Sequence, residues 1–247
     1  MSKAITFWSV DGGVGKTTLA TNSAIALAKE NPAKEVLLLD FNLFNPHIHK
    51  HLNVKVNSNF VSLFEKYLQK ESILNEFNNY ITKISKISNL KFLQGLMDIN
   101  YFDKLDINYF KHLLTLIKKQ AFDYIIIDVN GALNIDATFA SIVMSDLLVT
   151  VLEPTFPSLS DTSRYIKEVL NILNISQKNI YPVVNKYDGG LEKQNFEITF
   201  NKKDIHYVPY FKGMRDSINI GNPIYLSGNK KHKKIKQNIS KLAKKLI

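Results

Sequence analysis

Eight residues near the amino terminus, Asp11-Gly12-Gly13-Val14-Gly15-Lys16-Thr17-Thr18, have the types and spacing that hold a polyphosphate. Three glycines within four positions remove the Cβ atoms that would keep backbone amides away from anionic oxygens. Lys16 adds a mobile positive charge, and Thr17 offers a hydroxyl to Mg²⁺. A helix starting near Lys16 would add its unpaired N–H groups and the positive end of its dipole at the same place. The chemistry indicated is the binding of a nucleoside triphosphate.

Such a loop works only between a strand and a helix. Ile5 to Val10 is a short apolar run, and Leu19, Ser23, Ala26 and Leu27 recur at helical spacing up to Lys29, so the sequence supplies both. A second strand, Glu35 to Asp40, is continuously apolar and ends in a carboxylate, as a buried parallel strand reads. Its carboxyl end is expected beside the phosphate loop, where ligands of open α/β sheets collect. Phe122-Asp123-Tyr124-Ile125-Ile126-Ile127-Asp128 repeats that design, with four hydrophobic residues before an acid that reaches Mg²⁺ through water. Thr17, Asp40 and Asp128 are the candidate metal-site residues.

The whole chain narrows the class. With 247 residues and 45% apolar content, one α/β domain spanning 1–247 with a large core is expected. The absence of cysteine excludes disulfides and thiolate metal sites. No apolar run approaches the length of a membrane span, and the chain enters its first strand without a basic-then-apolar leader, so the expected location is cytoplasmic. The formal charge of +10 is local: Asn229 to Ile247 holds eight of the 32 lysines and arginines and no acid, leaving 24 basic against 22 acidic residues elsewhere. With only Arg164 and Arg215 available for bidentate contacts, sequence-specific DNA reading is disfavoured.

Further elements follow in order. Helical patterns run over Phe60 to Gln69 and Ile107 to Lys118, with a strand at Asn89 to Gln94 between them. Tyr67, Phe77, Tyr80, Tyr101 and Phe102 have two readings, core packing or a partner surface. Asp146 to Leu152 is another buried strand, and a helix over Ser158 to Leu173 follows, with Ser158 or Ser160 as N-cap. Ile180 to Asn185 is a strand. Ile235, Ile239, Leu242 and Leu246, spaced four, three and four apart, make the last segment an amphipathic helix rimmed with lysines. That helix could pack on the sheet, lie on an anionic membrane or contact DNA phosphates through Lys230 to Lys245.

The loop resembles the deviant Walker A loop of the ParA/MinD superfamily of ATPases, Lys-Gly-Gly-Val-Gly-Lys-Thr, at six of seven positions. The resemblance implies a three-layer P-loop NTPase fold, a mostly parallel twisted sheet with helices on both faces. It implies ATP or ADP with Mg²⁺ held by Gly12 to Thr18. Lys16 and Asp40 then take catalytic roles, and a nucleotide-dependent homodimer and a protein partner are expected. Asn185, at a strand end, matches the family asparagine that reads the adenine edge, and Pro209 falls in the segment that closes over the base.

Three positions depart from the family. Where the family has the lysine that reaches across a sandwich dimer, this chain has Asp11, and Lys3 lies too far back along its strand to take its place. A unit charge pair at ~4 Å is worth about 4 kcal/mol at an effective dielectric near 20, so the reversal opposes dimer formation. Asp11 is expected to face solvent or accept from loop amides. The family's Asp-x-Asp is Asp40-Phe41-Asn42 here, and Asn42 either holds a water without deprotonating it or turns the chain before Pro46. The Thr-Pro-Pro-Gly switch is replaced by Val129-Asn130-Gly131-Ala132. These changes, with Phe7-Trp8-Ser9 at the entry to the loop, look most like the CpaE/TadZ branch of pilus-assembly localisation proteins, though without that branch's receiver-like domain. The implied protein binds Mg-ATP, hydrolyses it weakly or not at all, and localises or scaffolds a partner, the alternatives being an active partitioning or division ATPase and a non-specific DNA binder.

Overall fold

The strand that leads into the phosphate loop, β1 (Lys3–Trp8), is buried on both faces and lies near the middle of the sheet. The computed structural model describes residues 2–43, 45–56, 60–69, 76–95 and 104–247. Tyr101 and Phe102, named above as aromatics of interest, lie outside these residues. After β1 come α1 (Lys16–Glu30), β2 (Val36–Phe41), α2 (Ile48–Leu52), α3 (Phe60–Leu68), β3 (Thr82–Lys83), β4 (Leu90–Gln94), α4 (Ile107–Lys118) and β5 (Tyr124–Val129). The second half adds α5 (Asp136–Val143), β6 (Leu147–Leu152), α6 (Phe156–Arg164), β7 (Ile180–Tyr187), α7 (Lys193–Phe200), β8 (His206–Pro209), α8 (Gly213–Asn219) and α9 (Lys233–Lys245).

The strands form one sheet in the order β3-β4-β2-β5-β1-β6-β7-β8, parallel throughout except for the short β3, which runs antiparallel to β4. Alternation along β1 divides the core: Ile5 and Phe7 face the layer containing α1 and α9, while Ala4 and Trp8 face the layer containing α4, α5 and α6. Helices thus cover both faces, as expected for strands without a polar side.

Several boundaries differ from the sequence reading for physical reasons. The helix expected over Ser158 to Leu173 begins at Phe156, because Thr155 is its N-cap and accepts a bond from the Ser158 amide. It gives way to a π-helical turn over Tyr165–Leu170. Neither Ser158 nor Ser160 is the cap. The short α2, α5, α7 and edge strand β3 have no signature in the sequence, being too short to show a full helical or alternating period.

Phe77 is fully buried, and Tyr67 and Tyr80 pack against the core, so these aromatics fill the layer between α3, α4 and the sheet. The four spaced apolar residues, Ile235, Ile239 and Leu242 in α9 and Leu246 at its C-cap, are all buried, and α9 packs against α1 and β8. Its apolar stripe is already used inside the fold, and the lysines form the outer face. No helix among the described residues is long and apolar enough to cross a membrane.

Candidate nucleotide site

The ladder brings three carboxyl-terminal strand ends together. Asp40 of β2 stands opposite Asp128 of β5, and Asp128 stands opposite Phe7 of β1, so both acids border the loop that follows β1. Gly15 caps α1 with φ +96°, and Gly13 has φ +73°, backbone conformations that favour glycine. A Cβ on Gly12 or Gly13 would meet no atom within 4 Å, which leaves the crest of the loop open to a ligand. A Cβ on Gly15 would lie 2.4 Å from Asn185 Nδ2, so that glycine is needed for close approach.

Lys16 Nζ donates to Ser9 Oγ at 2.7 Å and to the Asp11 carbonyl at 3.5 Å, folded back along its own loop. Burial lowers its pKa, against the opposing pull of Asp128 and Asp11. Thr17 Oγ1 donates to Asp128 Oδ2 at 2.6 Å. The other oxygen, Asp128 Oδ1, is buried and has no hydrogen-bond partner. Asp40 is fully buried, with Oδ1 accepting from the Asn42 amide at 3.2 Å and Oδ2 from the Ile48 amide at 3.0 Å. Burial raises the pKa of both carboxyls, and for Asp40 the neighbouring Asp128 charge adds to the effect.

These features fit Mg²⁺ and a polyphosphate. An orphaned carboxylate oxygen in a buried position is costly until a cation or donor meets it. Thr17 and Asp128 would hold the ion, with Asp40 behind them, and the bound metal supplies positive charge against the phosphates. The loop Gly12, Gly13, Val14 and Gly15 and the first turn of α1, Lys16, Thr17 and Thr18, run continuously around that point.

The substituted positions have definite partners. Asp11 is half-buried, and its Oδ2 accepts from Ser158 Oγ at 2.5 Å rather than from a loop amide. Thr155 caps α6, which leaves the Ser158 hydroxyl free to make this bond. Asn42 makes a turn, its carbonyl accepting from the Asn45 amide at 3.2 Å, and its side chain also faces the site. There Oδ1 accepts from Asn130 Nδ2 at 3.4 Å. Asn130 Oδ1 in turn accepts from the Ala132 amide at 2.9 Å, and Trp8 Nε1 donates to the Gly131 carbonyl at 2.9 Å. A Cβ on Gly131 would sit 2.9 Å from the Ser9 carbonyl. The segment that replaces the family switch is thereby bonded to β1 and to the Asn42 turn.

Asn185 is buried at the end of β7, and its Nδ2 donates to the Val14 carbonyl at 2.7 Å, leaving Oδ1 as its free polar atom. Pro209 is exposed at the end of β8, opposite Tyr187 in the ladder. The loop, Asp40, Asp128 and Asn185 therefore form one constellation, with Pro209 on its outer edge. Sequence reasoning missed Ser9, Glu153, Ser158 and Lys186. The serine-rich entry to α6 is one usable signal, in which Ser158 reads as a cap candidate.

The family model described as "AAA domain" matches residues 2–181. An uncharacterised ATP-binding protein of Methanocaldococcus jannaschii is 32% identical over 154 residues, which cover 62% of this chain and 53% of that relative. The septum site-determining protein MinD of Thermotoga maritima is 25% identical over 100% of this chain and 88% of its own length. Among solved structures, MinD of Pyrococcus horikoshii complexed with Mg-ADP superposes with a TM-score of 0.81 over 100% of this chain and 96% of that one, at 22% identity, a likeness of fold. The phosphate loop, the paired strand-end acids and the matched family model together identify the chain as a member of the ParA/MinD superfamily of P-loop ATPases.

Proposed function

We propose that this chain is a Mg-ATP-binding localisation or scaffold factor that hydrolyses its nucleotide slowly. It acts as one nucleotide-binding domain over residues 1–247, in the cytoplasm. The carrying observation is the Asn130–Asn42 bond: at the position where the superfamily places its second acid, an amide is held by another amide. An amide can hold a water but takes no proton from it at neutral pH. The binding half of the site is complete, from Gly12 to Thr18 with Asp128 and Asp40, and Lys16 keeps its place for the phosphates. Two relatives point the same way, one described as ATP-binding and one solved with Mg-ADP.

Asp11 completes the reading. Its carboxylate is tied to α6 through Ser158, so the cross-subunit lysine of the superfamily has no counterpart at this position, and an ATP-driven dimer is weakened. A protein partner then takes the localised role, and we place the chain with the pilus-assembly branch on the same three substitutions. Calorimetric titration with Mg-ATP, followed by measurement of phosphate release, tests the reading: tight binding with slow turnover supports it, and fast turnover overturns it.

A second reading, non-specific contact with DNA or anionic lipid, is favoured by one observation, the outward lysine face of α9. Binding of that kind weakens steeply with salt.

A further inference from the structure

We propose that Lys186, acting with Asn185, is a positioning residue of the phosphate cradle: the pair holds two consecutive loop carbonyls outward, so that the amides behind them face the nucleotide. This rests on the reading of the loop as a nucleotide site and names the device that shapes it.

Neighbouring residues of a strand point to opposite faces. Asn185 and Lys186 nevertheless reach the same loop, because β7 carries a bulge there. Val184 pairs with Tyr207 and Tyr187 with Pro209, so three steps along β7 match two along β8. Lys186 sits at φ +57°, a left-handed conformation that a Cβ disfavours and that persists where surrounding contacts hold it. With the strand bent in this way, Lys186 Nζ donates to the Gly13 carbonyl at 2.9 Å while Asn185 Nδ2 donates to the Val14 carbonyl at 2.7 Å.

In a planar trans peptide, the N–H of the next residue points opposite to the C=O. Holding Gly13 and Val14 by their carbonyls therefore turns the Val14 and Gly15 amides away from β7. Pre-aimed donors of this kind bind an anion without first reorganising. The ammonium is itself anchored by an ion pair with Glu153, whose backbone amide donates to Ser158 Oγ at 3.2 Å. Ser158 donates to Asp11. The chain Lys186–Glu153–Ser158–Asp11 thus secures both sides of the loop.

The test is calorimetric titration of the full chain with Mg-ADP and with Mg-inosine diphosphate, which shares the phosphates and differs in the base. Lys186→Asn tolerates the left-handed backbone and removes the ammonium; Glu153→Gln releases the anchor without touching β7. We expect Lys186→Asn to weaken both nucleotides by the same factor, about tenfold, as for loss of a charged hydrogen bond. Lys186→Arg should recover most of that loss, Glu153→Gln should weaken both nucleotides in parallel to a smaller extent, and the melting temperature without nucleotide should stay near native. Unchanged affinities in Lys186→Asn, or a loss confined to one base, would overturn the proposal while leaving the nucleotide site standing. Should Lys186→Asn fail to fold, unchanged affinities in Glu153→Gln would overturn it. A native chain that binds neither nucleotide would remove the site and the proposal together.

Discussion

Asn130 Nδ2 donates to Asn42 Oδ1 at 3.4 Å, so two of the positions at which this chain departs from its superfamily touch one another. They come from different strands: Asn42 follows β2 and Asn130 follows β5, which lie side by side with Asp40 opposite Asp128. A substitution in one element has its partner in the next. The contact places neutral amides where an acid and a mobile switch are expected, beside a phosphate loop that is otherwise intact.

The paired acids give a pH dependence. Burial raises the Asp128 and Asp40 pKa values, so the folded, metal-free chain binds more protons than the unfolded chain above the ordinary aspartate value of 3.8. Their contribution to folding stability is therefore greatest at low pH and falls as pH rises through the raised values. In Asp128→Asn that fall should shrink and the metal-free protein should be at least as stable at neutral pH. Its Mg-dependent gain in nucleotide affinity should drop by at least about tenfold, because the carboxylate charge that would face the ion is gone. Denaturant midpoints across pH, with and without Mg-ADP, measure both effects.

His51 titrates with the opposite sign. Burial, and then His47 and His49, lower its pKa from 6.5 to about 4. Between these values the unfolded chain binds the extra proton, so stability is lost as pH falls from 6.5 toward 4. His51→Gln should flatten the acid side of the stability profile relative to the native chain. An unchanged slope in urea titrations over that range would count against this assignment.

Restoring the missing lysine tests the dimer. Asp11→Lys removes the bond to Ser158, worth about 1 kcal/mol as a single hydrogen bond, and replaces a negative charge by a positive one at the crest of the loop. Sedimentation in Mg-ATP should show the variant shifted further toward dimer than the native chain. Equal masses would mean that the charge at position 11 does not control association.

Because the apolar stripe of α9 is buried, attachment to anionic vesicles through α9 must be electrostatic. Flotation should show binding that disappears in high salt and in a variant with Lys230, Lys231, Lys233 and Lys234 neutralised. Ile239→Ala should instead destabilise the fold by about 2–5 kcal/mol, as for a buried aliphatic side chain. Salt-resistant flotation that the four-lysine variant retains would show that α9 is not the attachment site.

The fold was legible wherever the pattern was long. The runs ending at Asp40 and Asp128 read as buried strands because no polar face interrupts them, and the stripe from Ile235 to Leu246 reads as one face of a helix because its period is helical, though what covers that face was not legible. Short elements such as α2 and α7 carry too few residues for a period to emerge. At the site, Gly12 to Thr18 was legible because phosphate chemistry dictates residue type. The partners of Asp11, Asn42 and Lys186 were not. Ser158 lies 147 residues from Asp11, Asn130 lies 88 from Asn42, and Lys186 lies 173 from Gly13, separations that only the sheet order brings together. The left-handed conformation at Lys186 has no sequence signature, since lysine seldom adopts it.

The most direct test of the central claim is single-turnover hydrolysis of γ-labelled ATP by the native chain and by Asn42→Asp, at saturating protein and Mg²⁺. An oriented acid at position 42 should raise the rate at least about tenfold, toward the 10²–10⁴ typical of a positioned proton acceptor, with ATP affinity nearly unchanged. A native chain that releases phosphate as fast as Asn42→Asp would contradict the account, because the Asn130–Asn42 bond would then have no bearing on turnover.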